Sequence, residues 1–301
     1  MIENKIKCNK NGVFTVLVVS DPQCEVSAQW TEGAVELETL VKRATPDLVI
    51  INGDMESFNN IPKEGWAEFV RPLTERNIPW TTTNGNHDPY SDDVYSVYSE
   101  HELCLNAKVD KKDENYEPSR PVNYVLPIYS NDGQKLLFAV YGIDSGTSTD
   151  GEWHGATEKQ IAWYKKQSDE LKKNNDGKPV TALLCCHIPF EEIVDMEILS
   201  GICNECISYT GASFNKGLFA SIKEQGDVKI AVFGHSHQIN RLGVLDGILL
   251  GYAGKISSGS YHDDLSRGGR VVRFDANSPS SVSTSWLAAL PTSEDIPEIV
   301  R

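Results

Sequence analysis

The sequence predicts a single α/β domain whose core contains two mixed β-sheets. Short β-branched runs alternate with amphipathic stretches in the first third of the chain, and the last third consists mainly of strand-like runs. The chain has 301 residues, of which 40% are hydrophobic and 24% are charged, and this is ample material for a sizeable core. Because no linker or compositional break divides the chain, we expect residues 1–301 to form one domain.

The first third of the chain predicts βαβ units. We expect strands over residues 14–20, 47–51 and 80–83, and helices over residues 33–43 and 66–76. Strands that alternate with helices in this way are joined by crossover connections. Largely parallel pairing is therefore expected among these strands.

An antiparallel element is expected in the middle of the chain. Two strand-like runs, over residues 123–127 and 135–143, flank Asn131-Asp132-Gly133, and Asp-Gly suits the positive φ angles of a tight hairpin turn. The remaining elements follow from the same patterns. They are helices over 158–173 and 214–224, and strands over 180–186, 228–233, 244–252, 270–274 and 282–287.

Charge, hydropathy and cysteine usage exclude several classes of protein. A net charge of −15 opposes attraction to polyanions, so general nucleic-acid binding is not expected. Apolar runs such as residues 16–19 are far shorter than the roughly 18 residues that a membrane span requires. The first five residues show no signal-peptide pattern, so we expect a cytoplasmic protein. Seven scattered cysteines predict reduced thiols rather than a disulfide framework.

Five strand-like runs end in residues that can hold metal ions. These blocks are Ser20-Asp21-Pro22-Gln23, Asn52-Gly53-Asp54, Asn84-Gly85-Asn86-His87-Asp88, His187 and Gly234-His235-Ser236-His237. Ligands of α/β sheets bind beyond the carboxyl ends of strands, so we expect these residues to meet along one rim. Oxygen and imidazole donors suit Mn²⁺, Fe, Zn²⁺ or Ni²⁺ better than Cu(I). Each block alone fits a turn or core residue, but the five together favour a shared site.

Asp54 is the candidate bridge between two metal ions. One shared carboxylate would hold two cations about 3.5–4 Å apart, which is the separation used in two-metal hydrolysis. Metal-bound water is a competent nucleophile near neutral pH, and paired cations offset the charge that builds on phosphoryl oxygens. The pattern therefore favours hydrolysis of a phosphate ester.

In their order, the five blocks resemble the motifs of the calcineurin-like metallophosphoesterase superfamily, which read D-x-H, G-D, G-N-H-[DE], H and G-H-x-H. The resemblance spans residues 21–237 and implies a four-layer αββα sandwich of two mixed sheets flanked by helices. It implies Asp21 and His237 at the first metal, Asn86, His187 and His235 at the second, and Asp54 at both. It also implies that a bridging hydroxide is the nucleophile, and that His87, oriented by Asp88, assists the leaving group or stabilises charge.

The sequence departs from the superfamily pattern at Gln23, which stands where the first motif usually has histidine. A neutral amide oxygen coordinates late transition metals less strongly than imidazole. We therefore expect Gln23 to be a weak ligand and the first metal to exchange readily. Some branches of the superfamily also carry Asp-Pro-Gln here and are regarded as phosphatases.

Within the superfamily, the chain is most similar to the purple-acid-phosphatase-like and fungal cell-cycle phosphatase branch. The similarity lies in residues 186–190, 213–219 and 226–237. Purple enzymes have a tyrosinate ligand three residues after the bridging aspartate, where this chain has Ser57. A purple chromophore is therefore not expected.

The sequence leaves the substrate open. Trp153, in a Gly/Ser/Thr-rich loop, and Asn215, by resemblance, are candidate substrate-binding residues. The expected reaction is monoester hydrolysis of a phosphoprotein or a small phosphate ester. Two alternatives stay open: a phosphodiesterase acting on cyclic nucleotides or other diesters, and a non-catalytic scaffold, for which Gln23 is the best support. Cys203 and Cys206 have the spacing of a redox pair, but a loop close to the active site is favoured.

Overall fold

The computed structural model describes residues 5–55, 63–88, 101–105, 123–149, 152–205 and 217–301. Its strands are β1 Ile6–Lys7, β2 Val13–Val19, β3 Leu48–Asn52, β4 Trp80–Thr83, β5 Asn123–Tyr129, β6 Leu136–Ile143, β7 Ser148–Thr149, β8 Glu152–Trp153, β9 Thr181–Cys186, β10 Glu197–Ser200, β11 Val228–Phe233, β12 Leu242–Leu245, β13 Ile248–Tyr252, β14 Gly268–Asp275, β15 Val282–Ala288 and β16 Ile296–Val300. Its α-helices are α1 Ser27–Ala44, α2 Lys63–Glu75, α3 Glu158–Lys173 and α4 Leu218–Gln225. Short 3₁₀ helices lie at Glu191–Asp195 and Asp264–Ser266.

Two mixed sheets dominate the part of the chain that the structure describes. An eight-stranded sheet has the order β1-β5-β6-β9-β11-β13-β12-β10, and a six-stranded sheet has the order β16-β15-β14-β2-β3-β4. The neighbours β2, β3 and β4 run parallel, as the βαβ pattern of the first third predicted. The neighbours β6, β9, β11 and β13 also run parallel. Antiparallel strands flank both parallel groups, and the predicted β5–β6 hairpin is confirmed.

The inner faces of the two sheets pack against each other and form the central core. Val16 of the six-stranded sheet and Leu183 of the eight-stranded sheet are both completely buried in this layer. Phe138 on β6 and Phe274 on β14 stack across the gap, with ring centroids 4.9 Å apart. The parallel strands β2, β3, β9 and β11 are largely apolar, as expected for strands that are covered on both faces of their sheet.

Helices α1 and α2 cover the outer face of the six-stranded sheet. Trp66 on α2 lies at the centre of an aromatic cluster, with ring centroids 6.4 Å from Trp30 on α1 and 5.7 Å from Trp80 on β4. Perpendicular contacts of this kind bring the positive edge of one ring to the negative face of another. The cluster therefore fixes both helices against the sheet.

Helices α3 and α4 cover the outer face of the eight-stranded sheet. The side chains of Tyr141 on β6 and Tyr164 on α3 both donate hydrogen bonds to the buried carboxylate of Asp227, at 2.8 and 2.5 Å. The N-terminus of α3 is closed by a capping box between Thr157 and Gln160, which explains why the helix begins at residue 158 as predicted. Helix, sheet, sheet and helix thus form the predicted αββα layers.

The structure corrects the predicted bounds of several elements. The run over residues 244–252 is not one strand, because Asp246 and Gly247 have φ angles of 50° and 83° and turn the chain between β12 and β13. The Asp246-Gly247 pair between the two apolar runs favours this hairpin turn, and the prediction of one strand overlooked it. Helix α1 begins at Ser27 rather than residue 33, because the Gln29 side chain accepts hydrogen bonds from two preceding backbone N–H groups. The predicted helix over residues 214–224 begins, within the described chain, at Leu218.

Two expectations about cysteines and membrane segments can be compared with the described residues. All six cysteines among them are free thiols: Cys8, Cys24, Cys104, Cys185, Cys186 and Cys203. Cys206, the seventh cysteine, lies outside the described residues, so the expectation of reduced thiols stays a prediction. In the described part of the chain, no helix combines the length and hydropathy needed to cross a bilayer.

Replacement of Phe138 tests the packing between the sheets. We expect Phe138→Ala to lower the free energy of unfolding by about 3–5 kcal/mol, because it removes a buried ring and leaves a cavity beside Phe274. Denaturant-induced unfolding measures this change. Val35→Ala, on the exposed face of α1, is the control and should change the same quantity by less than about 0.5 kcal/mol. Equal losses in the two variants would contradict the central position of the ring.

Candidate metal centre

The five predicted ligand-bearing blocks meet at one place in the fold. They directly follow β2, β3, β4, β9 and β11. The first three strands are parallel neighbours in the six-stranded sheet, and the last two are parallel neighbours in the eight-stranded sheet. Parallel strands place their carboxyl ends at the same edge of a sheet, so the loops from both stacked sheets converge.

Asp54 belongs to two groups of side chains that could each hold a metal ion. One group consists of Asp54, His187 and His235, and the other consists of Asp21, Asp54 and His237. In each group the potential ligand atoms all lie within 4.8 Å of one another. Asp54 is the residue common to both groups, as expected for a carboxylate that bridges two ions.

The two predicted amide ligands lie beside these groups. The Asn86 side-chain oxygen is 2.7 Å from Nδ1 of His235, so both atoms face the same point. The Gln23 amide nitrogen donates a hydrogen bond to Oδ2 of Asp54, at 3.2 Å. All seven side chains that the sequence predicted as metal ligands are therefore assembled in one cluster, and their role as ligands stays a prediction.

Backbone carbonyls fix the orientation of two histidine rings. Nδ1 of His187 is 2.8 Å from the carbonyl oxygen of Asn52, and Nδ1 of His237 is 2.7 Å from that of Tyr261. A carbonyl oxygen only accepts hydrogen bonds, so Nδ1 of each ring must donate. The opposite atoms, the two Nε2 atoms, lie 3.2 Å from Asp54 and 3.3 Å from Asp21, respectively. Such anchoring is typical of metal-binding histidines.

The charges of the cluster compensate one another in a buried environment. Burial is the largest single effect and raises the pKa values of Asp21 and Asp54, but the neighbouring groups together outweigh it: His187, His237 and Lys255 around Asp21, and His187 and His87 around Asp54. Both pKa values therefore lie below their usual range. Burial lowers the pKa of His187, but the carboxylates of Asp54 and Asp21 raise it to about 10. Burial and the charge of His187 lower the pKa of His235 to about 3. The cluster thus favours ionised carboxylates beside a neutral His235.

These residues fit a pair of cations. Oδ1 of Asp21 and Nε2 of His187 are buried, and among the described residues their contacts with His237 and Asp54, at 3.3 and 3.2 Å, do not have hydrogen-bond geometry. Ionised carboxylates that are removed from water require a positive partner. Oxygen and imidazole donors around them are the ligand types of first-row divalent metals.

Several strained backbone conformations lie in the ligand loops. Four non-glycine residues of these loops have left-handed backbone conformations: φ is 56° at Asp21, 41° at Gln23, 51° at Asp54 and 69° at His235. Conformations of this kind are costly and persist where the surrounding structure enforces them, often at functional sites. Gly85 is needed for close approach, because a Cβ atom there would lie 2.1 Å from Oδ1 of Asp54.

Asp88 has a different set of partners from the one predicted. Its carboxylate accepts hydrogen bonds from the backbone N–H groups of Asp54, Met55 and Gly85, each at 2.8 Å. Within the described residues it makes no hydrogen bond to the His87 ring. The sequence pattern could not show this, because the backbone of the Asp54 loop approaches Asp88 only in the folded chain. Asp88 therefore fixes the loop that carries Asp54, and it does not orient the imidazole.

An open cavity of about 360 Å³ lies over the cluster. Its lining residues are Gln23, Asp54, Asn86, His87, Trp153, Glu205, His235, His237, Ser260 and Tyr261. Trp153 lies against the ring of His235, with centroids 4.4 Å apart, so this candidate substrate residue reaches the site. Asn215 lies outside the described residues.

Three residues of the cavity wall were missed in the sequence, namely Glu205, Ser260 and Tyr261. Tyr261 stacks on His237 with ring centroids 4.0 Å apart, and its hydroxyl donates to Glu205 at 2.8 Å. Glu205 belongs to the loop with Cys203, so the expected proximity of that loop to the site is confirmed. No local pattern distinguishes Tyr261, although the preceding Gly/Ser-rich stretch indicates a loop.

A buried lysine lies beside the group of Asp21, Asp54 and His237, and the sequence did not predict its role. The Lys255 side chain is completely buried, and its ammonium group donates to the backbone carbonyl of Asp21 at 2.5 Å. Burial lowers the pKa of Lys255 to about 8, although the Asp21 carboxylate acts in the opposite direction. This hydrogen bond stabilises the left-handed backbone conformation of Asp21.

Comparison with known sequences identifies similar proteins. Residues 14–239 match the family described as calcineurin-like phosphoesterase. "Probable inactive purple acid phosphatase 29" of Arabidopsis thaliana is 26% identical over 312 aligned residues, which cover 91% of this chain and 79% of that protein. "Probable inactive purple acid phosphatase 28" of the same plant is 24% identical over 246 residues, which cover 75% of this chain and 62% of that protein. These relatives agree with the predicted purple-acid-phosphatase-like branch.

Two solved structures share the fold. A dimetal phosphatase from Danio rerio superposes with a TM-score of 0.62 at 10% identity, over 94% of this chain and 98% of that chain. GAP50, described as the anchor in the inner membrane complex of Plasmodium, superposes with a TM-score of 0.60 at 14% identity, over 95% and 88% of the two chains. The family match covers most of the chain and includes all five ligand-bearing loops. The chain therefore belongs to the calcineurin-like metallophosphoesterase family.

Proposed function

We propose that the protein is a phosphoric monoester hydrolase that uses two metal ions. The observation that carries this proposal is the sharing of Asp54 between two groups of potential ligand atoms, each group within 4.8 Å. Family membership supports phosphoesterase chemistry, and one protein of the same fold is described as a dimetal phosphatase. Phosphoproteins and small phosphate esters are the proposed substrates.

Each metal site has its own proposed ligands. Asp21, Gln23, Asp54 and His237 would hold the first ion, and Asp54, Asn86, His187 and His235 would hold the second. Bound cations supply an activated water near neutral pH and offset negative charge on the phosphoryl oxygens. Mn²⁺, Fe, Zn²⁺ and Ni²⁺ all suit these donor types.

His87 is the proposed acid for the leaving group. Its backbone N–H donates to Oδ1 of Asp54 at 2.9 Å, and the residue lines the cavity. These contacts hold His87 beside the place where the phosphate ester would lie. A protonated ring there can give a proton to the departing alkoxide oxygen or stabilise its charge. Trp153 and Tyr261 provide apolar surface in the cavity for the alcohol part of the substrate.

A non-catalytic scaffold is the second candidate function. Gln23 replaces a usual histidine of the family, and both plant relatives are named as probable inactive phosphatases. The six remaining ligand side chains are of the expected types and converge, which supports the catalytic proposal over the scaffold.

Two substitutions separate metal binding from proton transfer. We expect Asp54→Asn to abolish retention of both ions and hydrolysis, because it removes the bridging charge. We expect His87→Ala to retain metal while kcat falls about 10²–10⁴-fold, the usual contribution of a positioned general acid. Metal analysis of the purified protein and steady-state kinetics measure these effects.

Asp169→Asn, at an exposed position on α3, is the matched control and should leave metal content and kcat unchanged. The scaffold becomes the preferred function if the wild-type protein, supplied with Mn²⁺, Fe²⁺, Ni²⁺ or Zn²⁺, neither retains metal nor hydrolyses an ester.

Comparison of a monoester with a diester substrate distinguishes a phosphomonoesterase from a phosphodiesterase. We expect para-nitrophenyl phosphate to be hydrolysed with a higher kcat/KM than bis(para-nitrophenyl) phosphate, because the proposed substrates are monoesters. Both reactions release the same chromophore, so their rates can be compared directly. A strong preference for the diester would instead assign a phosphodiesterase that acts on cyclic nucleotides or other diesters.

Gln23→His tests whether Gln23 is a ligand. We expect this variant to retain the first metal more tightly than the wild type, because imidazole is the stronger donor. Calorimetric titration of the metal-free protein with Mn²⁺ measures the change. An unaltered affinity in Gln23→His would show that this side chain does not coordinate.

A further inference from the structure

Asn52 joins the two sheets directly beneath the metal-ligand cluster. It is the last residue of β3 and is completely buried. Its amide nitrogen Nδ2 donates to the backbone carbonyls of Cys186 and Val232, at 3.0 and 3.2 Å. Because these carbonyls belong to β9 and β11, one side chain ties two strands of the eight-stranded sheet to the end of a strand in the other sheet.

Asn52 also contacts the two strands beside its own. Its side-chain oxygen Oδ1 accepts a hydrogen bond from the hydroxyl of Thr83 on β4, at 2.6 Å. Its backbone carbonyl accepts a hydrogen bond from the hydroxyl of Ser20, which follows β2, at 2.8 Å. The same carbonyl accepts the 2.8 Å hydrogen bond from Nδ1 of His187. This residue thus contacts the carboxyl ends of four other strands.

Each contact of Asn52 lies just before a proposed metal ligand in the chain. The contact residues and the ligands that follow them are Ser20 and Asp21, Thr83 and Asn86, Cys186 and His187, and Val232 and His235. Asn52 itself precedes Asp54. The position of Asn52 is therefore coupled to all five ligand-bearing loops.

The hydrogen-bonding pattern requires an asparagine. Both N–H bonds of the amide are directed at carbonyl oxygens, which cannot donate, so the amide has one possible orientation. Aspartate has no N–H group for these carbonyls and would add a charge beside Asp54. Alanine or leucine would leave the two carbonyls and the Thr83 hydroxyl without this partner. Buried polar groups of this kind are strongly disfavoured when unpaired.

We propose that Asn52 is a positioning residue that sets the separation of the two metal-ligand groups by fixing the relative placement of the five loops. The inference rests on the proposed function, because it needs metal binding at this cluster. It acts through the ligands and requires no direct contact with a metal ion or a substrate.

Metal titration of Asn52→Ala tests this role. We expect the Kd for Mn²⁺, measured by calorimetry on the metal-free full chain, to rise about 10–100-fold, as is typical when groups that orient ligands are removed. We also expect the visible absorption bands of the Co²⁺ form to shift, because these bands report the coordination geometry. Thr83→Val removes one of the hydrogen bonds at little change in volume and should give a smaller change in the same direction.

Phe138→Ala is the control for a general loss of stability. It lies in the central core away from the loops, so its Mn²⁺ affinity and Co²⁺ spectrum should equal those of the wild type. The inference is overturned if Asn52→Ala keeps both wild-type properties, or if Phe138→Ala weakens Mn²⁺ binding to the same extent. If Asn52→Ala does not fold, Thr83→Val provides the test instead. Wild-type Mn²⁺ affinity and a wild-type Co²⁺ spectrum in Thr83→Val would then overturn the inference. A wild type that binds neither Mn²⁺ nor Co²⁺ overturns the proposed function as well.

Discussion

Two buried carboxylates, Asp21 and Asp54, share a small volume at the edge where the two sheets meet, and their charge has to be balanced inside the protein. Burial opposes ionisation, and two like charges at close range oppose each other. In the structure the balance comes from His187 between the carboxylates and from Lys255 beneath Asp21. The arrangement of oxygen and imidazole atoms that results is one that a pair of cations would complete.

Holding such a cluster together requires a rigid and strained support. The left-handed conformations of Asp21, Asp54 and His235 are enforced by packing of the loops against one another. Asp88 adds three backbone hydrogen bonds to this support, in a position where burial and the charge of Asp54 raise its pKa well above the usual range. The site therefore carries part of the energetic cost of the fold, which the regular sheets and their apolar core offset.

Gln23, which departs from the family pattern, lies beside the group of Asp21, Asp54 and His237, and its amide donates a hydrogen bond to Asp54, the residue that both groups share. The group with His187 and His235 is complete without it, and Asp54 belongs to both. The first group combines Asp21 and His237 with the weaker amide donor. Under the proposed function, we therefore expect the site with Asp21 and His237 to bind its ion more weakly than the site with His187 and His235.

The sequence by itself determined the βαβ pattern, the β5–β6 hairpin and the five blocks that carry the candidate ligands, because periodicity, turn chemistry and the ends of strands are local properties. The signal for the split between β12 and β13 was also present, because Asp246-Gly247 is the same turn pair as Asp132-Gly133, and the prediction of one strand overlooked it. Only the tertiary structure decided the partners of Asp88, the approach of Tyr261 to His237 and the contacts of Asn52. These contacts join residues far apart in the chain, and their geometry arises when the two sheets pack face to face.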